Sequence, residues 1–201
     1  LGLGRRSGPD RVVEFDGGKP AGLFLRHGAT IAAAPGQRLG GAGVLVGLMP
    51  TQAEAHGLVA LMEIQSSRTG ARVDPEGRPI LLMDQNRARW DQLLIRRGLA
   101  ALEASLKLAP TPGPYAIQAS IAACHARART GNDTDWKQIA SLYADLARLT
   151  PSPIIELNRA VAVAMSDGPQ AGLDIIDAIA GDPVLADYHL LPSVRGDLLN
   201  R

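Results

Sequence analysis

Residues Asp135 to Asp187 read DWKQIASLYADLARLTPSPIIELNRAVAVAMSDGPQAGLDIIDAIAGDPVLAD, and their reading decides the fold. Apolar residues recur at helical spacing in short runs, and a Pro, Thr or Gly signal opens each new run. Short amphipathic helices that follow one another at near-constant intervals bury their apolar faces by stacking as antiparallel pairs. Such an array is suited to holding a partner. The expectation from this stretch is an all-α array of helical hairpins.

Composition agrees with it. The chain has 201 residues and is 46% hydrophobic but only 3% aromatic, so Ala and Leu must fill the core. Ala-rich helices approach one another closely, which favours helix-on-helix layers. The formal net charge is +1, too balanced for a nucleic-acid surface. Residues 1–50 hold six basic and three acidic groups, net +3, which leaves fifteen and seventeen, net −2, for residues 51–201. The single cysteine, Cys124, excludes an internal disulfide framework and fits a reducing cytoplasm. No apolar run is long enough to span a membrane, and the N-terminal LGLGRRSGPDRVV lacks the apolar core of a signal peptide.

A boundary falls near residue 48. Twelve of the 22 glycines lie in residues 1–50, so residues 1–47 are expected to form a loop-rich, poorly ordered leader. The helical domain is then 48–201. Thr51-x-x-Glu54 reads as a capping box opening a helix that breaks at Ser66–Gly70. Asp74-Pro75-Glu76-Gly77 reads as a type I turn in a small β-hairpin near residues 71–82. Helices are expected at about 84–109, 114–129, 134–149, 153–166, 169–180 and 186–200. Trp136, Ile139, Ala140 and Tyr143 match the first-helix pattern of a tetratricopeptide repeat, whereas Ala171, Ile175, Ala178 and Pro183 match the second. The two assignments conflict in register, which stays open, while a tetratricopeptide-like array survives under either.

The search for chemistry returns little. Gly41-x-Gly43-x-x-x-Gly47 resembles a dinucleotide-binding turn but has no strand before it and no βαβ unit after it. His27, His56, His125 and His189 are scattered, without metal-ligand spacing. No Gly-x-Ser-x-Gly elbow, HExxH or phosphate-binding loop occurs, so no catalytic residue, cofactor or metal is expected. Two polar clusters stand out. In DQNRARWDQ, Asp84 is placed to cap a helix, Arg87 and Asp91 sit at i,i+4, and Trp90 leads an apolar face. In SPIIELNRAVAVA, Asn158 and Arg159 interrupt an apolar helix, where a polar residue inside a packed layer needs a partner.

The segments RVDPEGRPILLMDQNRARWDQLLIRRGLAALE, GPYAIQASIAACHARA, DTDWKQIASLYADL, SPIIELNRAVAVAMSDGPQAGL and YHLLPSVRGDLL resemble the C-terminal extension of bacterial sigma factors. The sigma factors concerned are those of the extracytoplasmic-function (ECF) group that carry a tetratricopeptide-like tail behind their two sigma regions. The resemblance covers about residues 48–201, in the family's order. It implies a regulatory domain that acts by protein contact, with RNA polymerase or with sigma regions of the same polypeptide. Nothing in the chain resembles the promoter-reading regions, and specific DNA binding by this chain is not expected. Residues 1–43 do not follow the family's linker, and its Asp-Gln-Asp-Arg word reads Asp84-Gln85-Asn86-Arg87 here. The family continues beyond the position of Arg201, so the helix at 186–200 is expected to leave an apolar contact face, with Leu190, Leu191, Val194 and Leu198 as candidates. A free-standing scaffold that binds another protein's peptide is the competing reading.

Overall fold

The computed structural model describes residues 40–201, and among them the fold is all-α. Eight helices follow in order: α1 (Gly40–Leu48), α2 (Ala53–Ser67), α3 (Gln92–Leu108), α4 (Pro114–Arg127), α5 (Trp136–Leu149), α6 (Pro153–Asp167), α7 (Pro169–Ile179) and α8 (Leu190–Leu199). Residues 1–39 of the expected leader lie outside the described residues. Its described end is the helix α1 rather than a loop, and the Gly41-x-Gly43-x-x-x-Gly47 spacing lies within it.

Local chemistry starts most of these helices. Asp135 caps α5 by accepting from the Gln138 amide at 2.9 Å. Ser152 caps α6, with Pro153 at the first helical position, where its missing N–H costs nothing. Gly168, at φ +102°, is the single residue between α6 and α7; that left-handed geometry suits Gly, and Pro169 opens the next helix.

Two expectations about local structure are corrected. The hairpin near 71–82 is reduced to one isolated antiparallel bridge, Val73 to Pro79, without strands. The turn itself forms, with Gly77 N–H donating to Asp74 O at 3.0 Å and Ile80 N–H to Arg72 O at 2.8 Å. Pro79 has no N–H to extend the ladder, and two strands without a third or a covering face are marginal. The expected helix 84–109 starts late. Asn86 caps a 3₁₀ turn at Arg87–Arg89, the chain extends through Trp90, and Asp91 then caps α3 through the Leu93 and Leu94 amides at 2.8 and 3.1 Å. The expected helix 186–200 likewise begins only at Leu190, after a 3₁₀ turn at Pro183–Leu185.

Packing runs stepwise along the chain. α2 lies against both α3 and α4, and from α4 onward each helix packs on its successor. The short connections, such as the single Gly168 between α6 and α7, favour antiparallel neighbours. Four apolar clusters form the core among the described residues: Ile64, Leu102 and Ala123 join α2, α3 and α4; Ile121, Trp136, Ile139 and Tyr143 join α4 to α5; Leu157, Ile176, Val194 and Leu198 join α6, α7 and α8; and Ala71, Leu82 and Trp90, from the segment between α2 and α3, pack on Ile95 of α3. Close approach is built in at Gly98, where a Cβ would stand 2.6 Å from Ile64 Cγ1 and 3.1 Å from Ala60 O across the α2–α3 crossing. α6 packs on both α5 and α7, so the contacts mark no repeat boundary between them.

Candidate interaction site around Arg87 and Trp90

The DQNRARWDQ word lies where α2, α3 and α4 meet, and its residues act mostly on helix ends. Arg87 is buried and its Nη1 donates to the carbonyl of His125 and, at 3.3 Å, to that of Ala128. These are carbonyls at the C-terminus of α4, so the guanidinium satisfies orphan acceptors at the negative end of the helix dipole. Its Nη2 reaches Thr134 Oγ1 at 3.4 Å. The Arg87 guanidinium carbon sits 4.9 Å from the centroid of Trp90, which is itself buried and packs with Ala71, Leu82 and Ile95.

The opposite end of α4 is held by a residue on another helix. Glu54, in the first turn of α2, accepts from the Tyr115 and Ala116 amides at 2.8 and 3.2 Å. The capping box expected at Thr51-x-x-Glu54 is not made: α2 is preceded by Gln52, which makes no side-chain cap bond, and Glu54 serves α4 instead. The α4 cap residue is Gly113, which has no side chain to offer, so the carboxylate fills that role from across the α2–α4 interface. α4 therefore carries an acid at its N-terminus and a base at its C-terminus, both supplied by distant parts of the chain.

Behind this junction lies His125, against Trp136 in an edge contact with ring centroids 5.3 Å apart. Burial, helped by the neighbouring Arg68 and Arg87, pushes its imidazole down to about 3, so the ring is neutral in the fold. Cys124, next in sequence, turns its Sγ to Gln138 Oε1 at 3.2 Å, and burial together with Asp135 pushes the thiol up to about 11. That environment makes an inert thiol.

The other expected residues are placed as follows. Asp84 is exposed in the turn before the 3₁₀ segment and does not cap α3; Asp91 does. Arg87 and Asp91 do not form an ion pair, because one reaches α4 and the other caps α3. Trp136 and Tyr143 are core residues, and burial pushes the Tyr143 phenol well above its ordinary range. On α6, Arg159 pairs with Glu156 at 2.8 Å, and Asn158 is half-buried beside it. Val194 and Leu198 do not present a contact face. Both are buried in the core with Leu157 and Ile176, and Leu191 is partly buried on the same cluster, whereas Leu199 is the exposed apolar residue of α8. The inward turn follows from α7, whose own apolar face needs covering.

Three residues at this junction were not foreseen: Gln65 at the end of α2, Arg68 that closes α2, and Arg72. Arg68 also stands over the Trp90 ring, 5.8 Å from its centroid. The spacing Arg68-x-x-x-Arg72 without an acid between them was the available signal.

Among the described residues no group of three or more His, Cys, Asp and Glu side chains is arranged to hold a metal ion. Nor is any described helix long and apolar enough to cross a membrane.

Comparison with known proteins gives a partial placement. Residues 35–106 match the model of a family described as a family of unknown function (DUF6596). Over 158 residues, 79% of this chain, the sequence is 42% identical to an uncharacterized protein of Rhizobium meliloti strain 1021. The chain spans 37% of that relative's length. No solved structure matches.

Proposed function

We propose that the domain is the regulatory C-terminal extension of an ECF-type sigma factor, modulating transcription initiation in the cytoplasm through protein contacts and without DNA-reading regions of its own. The observation that carries this reading is the set of five segments between Arg72 and Leu199 that resemble that extension, in its order. The helical array supports it. So does the use of the distinctive polar word, whose Arg87 and Asp91 bind helix ends.

The decisive experiment is in vitro transcription with the full-length reading frame that carries residues 48–201, against the same frame ending before residue 48. Loss or gain of initiation with promoter recognition retained is the expected outcome. Equal transcription under every condition refutes the reading and favours the scaffold. A mobility-shift assay gives a second check: sequence-dependent DNA binding by this chain tighter than ~1 μM, against the ~10⁻⁴–10⁻⁶ M of non-specific contacts, refutes it as well.

A further inference from the structure

The junction around Trp90 holds more positive charge and more hydrogen-bond donors than its surroundings satisfy. Arg68 donates to Gln65 Oε1, and Arg72 donates to Gln65 O at 2.8 Å and to its Oε1 at 3.5 Å. Each guanidinium has five N–H groups, so most of these donors find no protein acceptor. Among the described residues no carboxylate stands within ion-pair distance of Arg68, Arg72 or Arg87. Of the nearby acids, Asp74 and Glu76 are engaged by Arg78, at 2.6 and 3.2 Å, and Asp133, whose charge offsets part of the burial of Arg87, accepts from the Thr130 amide and hydroxyl, both at 2.9 Å.

Deeper in the same cluster, Gln65 Nε2, Arg87 Nε and Trp90 Nε1 are buried without an acceptor. Buried donors are almost always paired, and unpaired charge is costlier still. Burial together with Arg72 and Arg87 pushes Arg68 down to about 9, so the fold carries its charge at a penalty that an anion would relieve.

We propose that Arg68 and Arg72, backed by Arg87 and Trp90, form an anion site for a carboxylate presented by an acidic segment of a partner protein. The proposal rests on the reading of the domain as a protein-contact module and names the chemistry of its partner. Arg68 and Arg72 are partly exposed side chains, Arg68 being the deeper set of the two, and a guanidinium fork matches a carboxylate with two parallel bonds. Beside them Val73 is an exposed apolar residue and Arg89 an exposed base. A mixed basic and apolar rim suits a peptide better than a free inorganic ion.

The test is a ¹⁵N-correlation titration of the whole chain with a blocked hexaglutamate peptide and, separately, with inorganic phosphate at constant ionic strength. The chain has two tryptophans, so the Trp90 indole N–H is assigned by a Trp136→Phe variant. The expected result is a saturable shift of that resonance with hexaglutamate, about tenfold weaker in Arg72→Gln and unchanged in Arg148→Gln. Arg68→Gln serves in its place if Arg72→Gln loses the helical circular dichroism spectrum. No saturable shift, an unchanged affinity in the arginine variants, or a response to phosphate alone overturns the proposal. The titration contains no polymerase, so its failure is separable from failure of the transcription reading.

Discussion

Glu54→Ala separates the two roles open to that side chain. In the structure the carboxylate accepts from the Tyr115 and Ala116 amides at 2.8 and 3.2 Å and lies at the positive end of the α4 dipole. Loss of an N-terminal cap costs ~0.5–2 kcal/mol and loss of the charge at a partly exposed helix end ~0.3–1 kcal/mol. A small gain in helix propensity within α2 offsets part of this. The expected net destabilisation is ~1–2 kcal/mol. With a urea m-value of ~2 kcal/mol/M, the midpoint falls by ~0.5–1 M at unchanged m. Thr51→Ala is the companion measurement. A capping box would make it cost ~1 kcal/mol, whereas the structure gives Thr51 no such bond, so the change stays within ~0.5 kcal/mol. Hydrogen exchange adds residue-level evidence: in Glu54→Ala the Tyr115 and Ala116 amides lose protection while the start of α2 keeps it. Equal costs for the two variants, or full protection of both amides in Glu54→Ala, would refute the cross-helix cap.

Trp136→Ala removes a buried side chain that joins α4 to α5 and is expected to cost ~3–5 kcal/mol in urea denaturation; a change within ~0.5 kcal/mol would place the residue on the surface. Because burial holds His125 neutral down to about pH 3, the unfolded chain binds the extra proton first as pH falls below its ordinary value of 6.5. This group's contribution to stability is therefore complete above pH 6.5 and shrinks at up to ~1.4 kcal/mol per unit between pH 6.5 and about 3. His125→Phe keeps a ring against Trp136 and should flatten that slope when denaturation midpoints are compared at pH 7 and 5; identical slopes count against a neutral buried imidazole. Cys124 should react with a thiol reagent at pH 8 only as fast as the protein opens, and prompt stoichiometric labelling of the native chain would contradict its raised thiol value and burial.

Helix starts with their own chemistry were readable from the chain. Asp135, Ser152 with Pro153, and Pro169 after Gly168 carry their signals within a few residues, and α5, α6 and α7 begin there. The apolar anchors Trp90 and Trp136 were also legible, because a large side chain heading an apolar stripe has nowhere favourable to go but inward. What was not legible depends on partners remote in sequence. In DQNRARWDQ the cap expected at Asp84 is made by Asp91 instead, and Arg87 reaches the end of α4, tens of residues further on, rather than pairing with Asp91. Glu54 fits a local box, yet the capless Gly113 draws it to another helix. The inward packing of Val194 and Leu198 was missed for a related reason: an amphipathic helix shows which face is apolar but not which neighbour covers it.

The double clasp on α4 changes how such an array comes apart. In a stack coupled only between neighbours, opening proceeds from either end like a zipper. Here α2 grips one end of α4 through Glu54 and the segment before α3 grips the other through Arg87, so residues 53–127 are laced into a closed circuit. At the other end α8 rests mainly on α7, and its cross-helix ion pair, Arg195 with Asp177, is exposed. Native-state hydrogen exchange should then resolve two cooperative units, a low-energy opening of residues 169–199 and a global one that includes α4. In that order of opening, residues 53–127 are the anchored part of the array and residues 169–199 the part that comes free first.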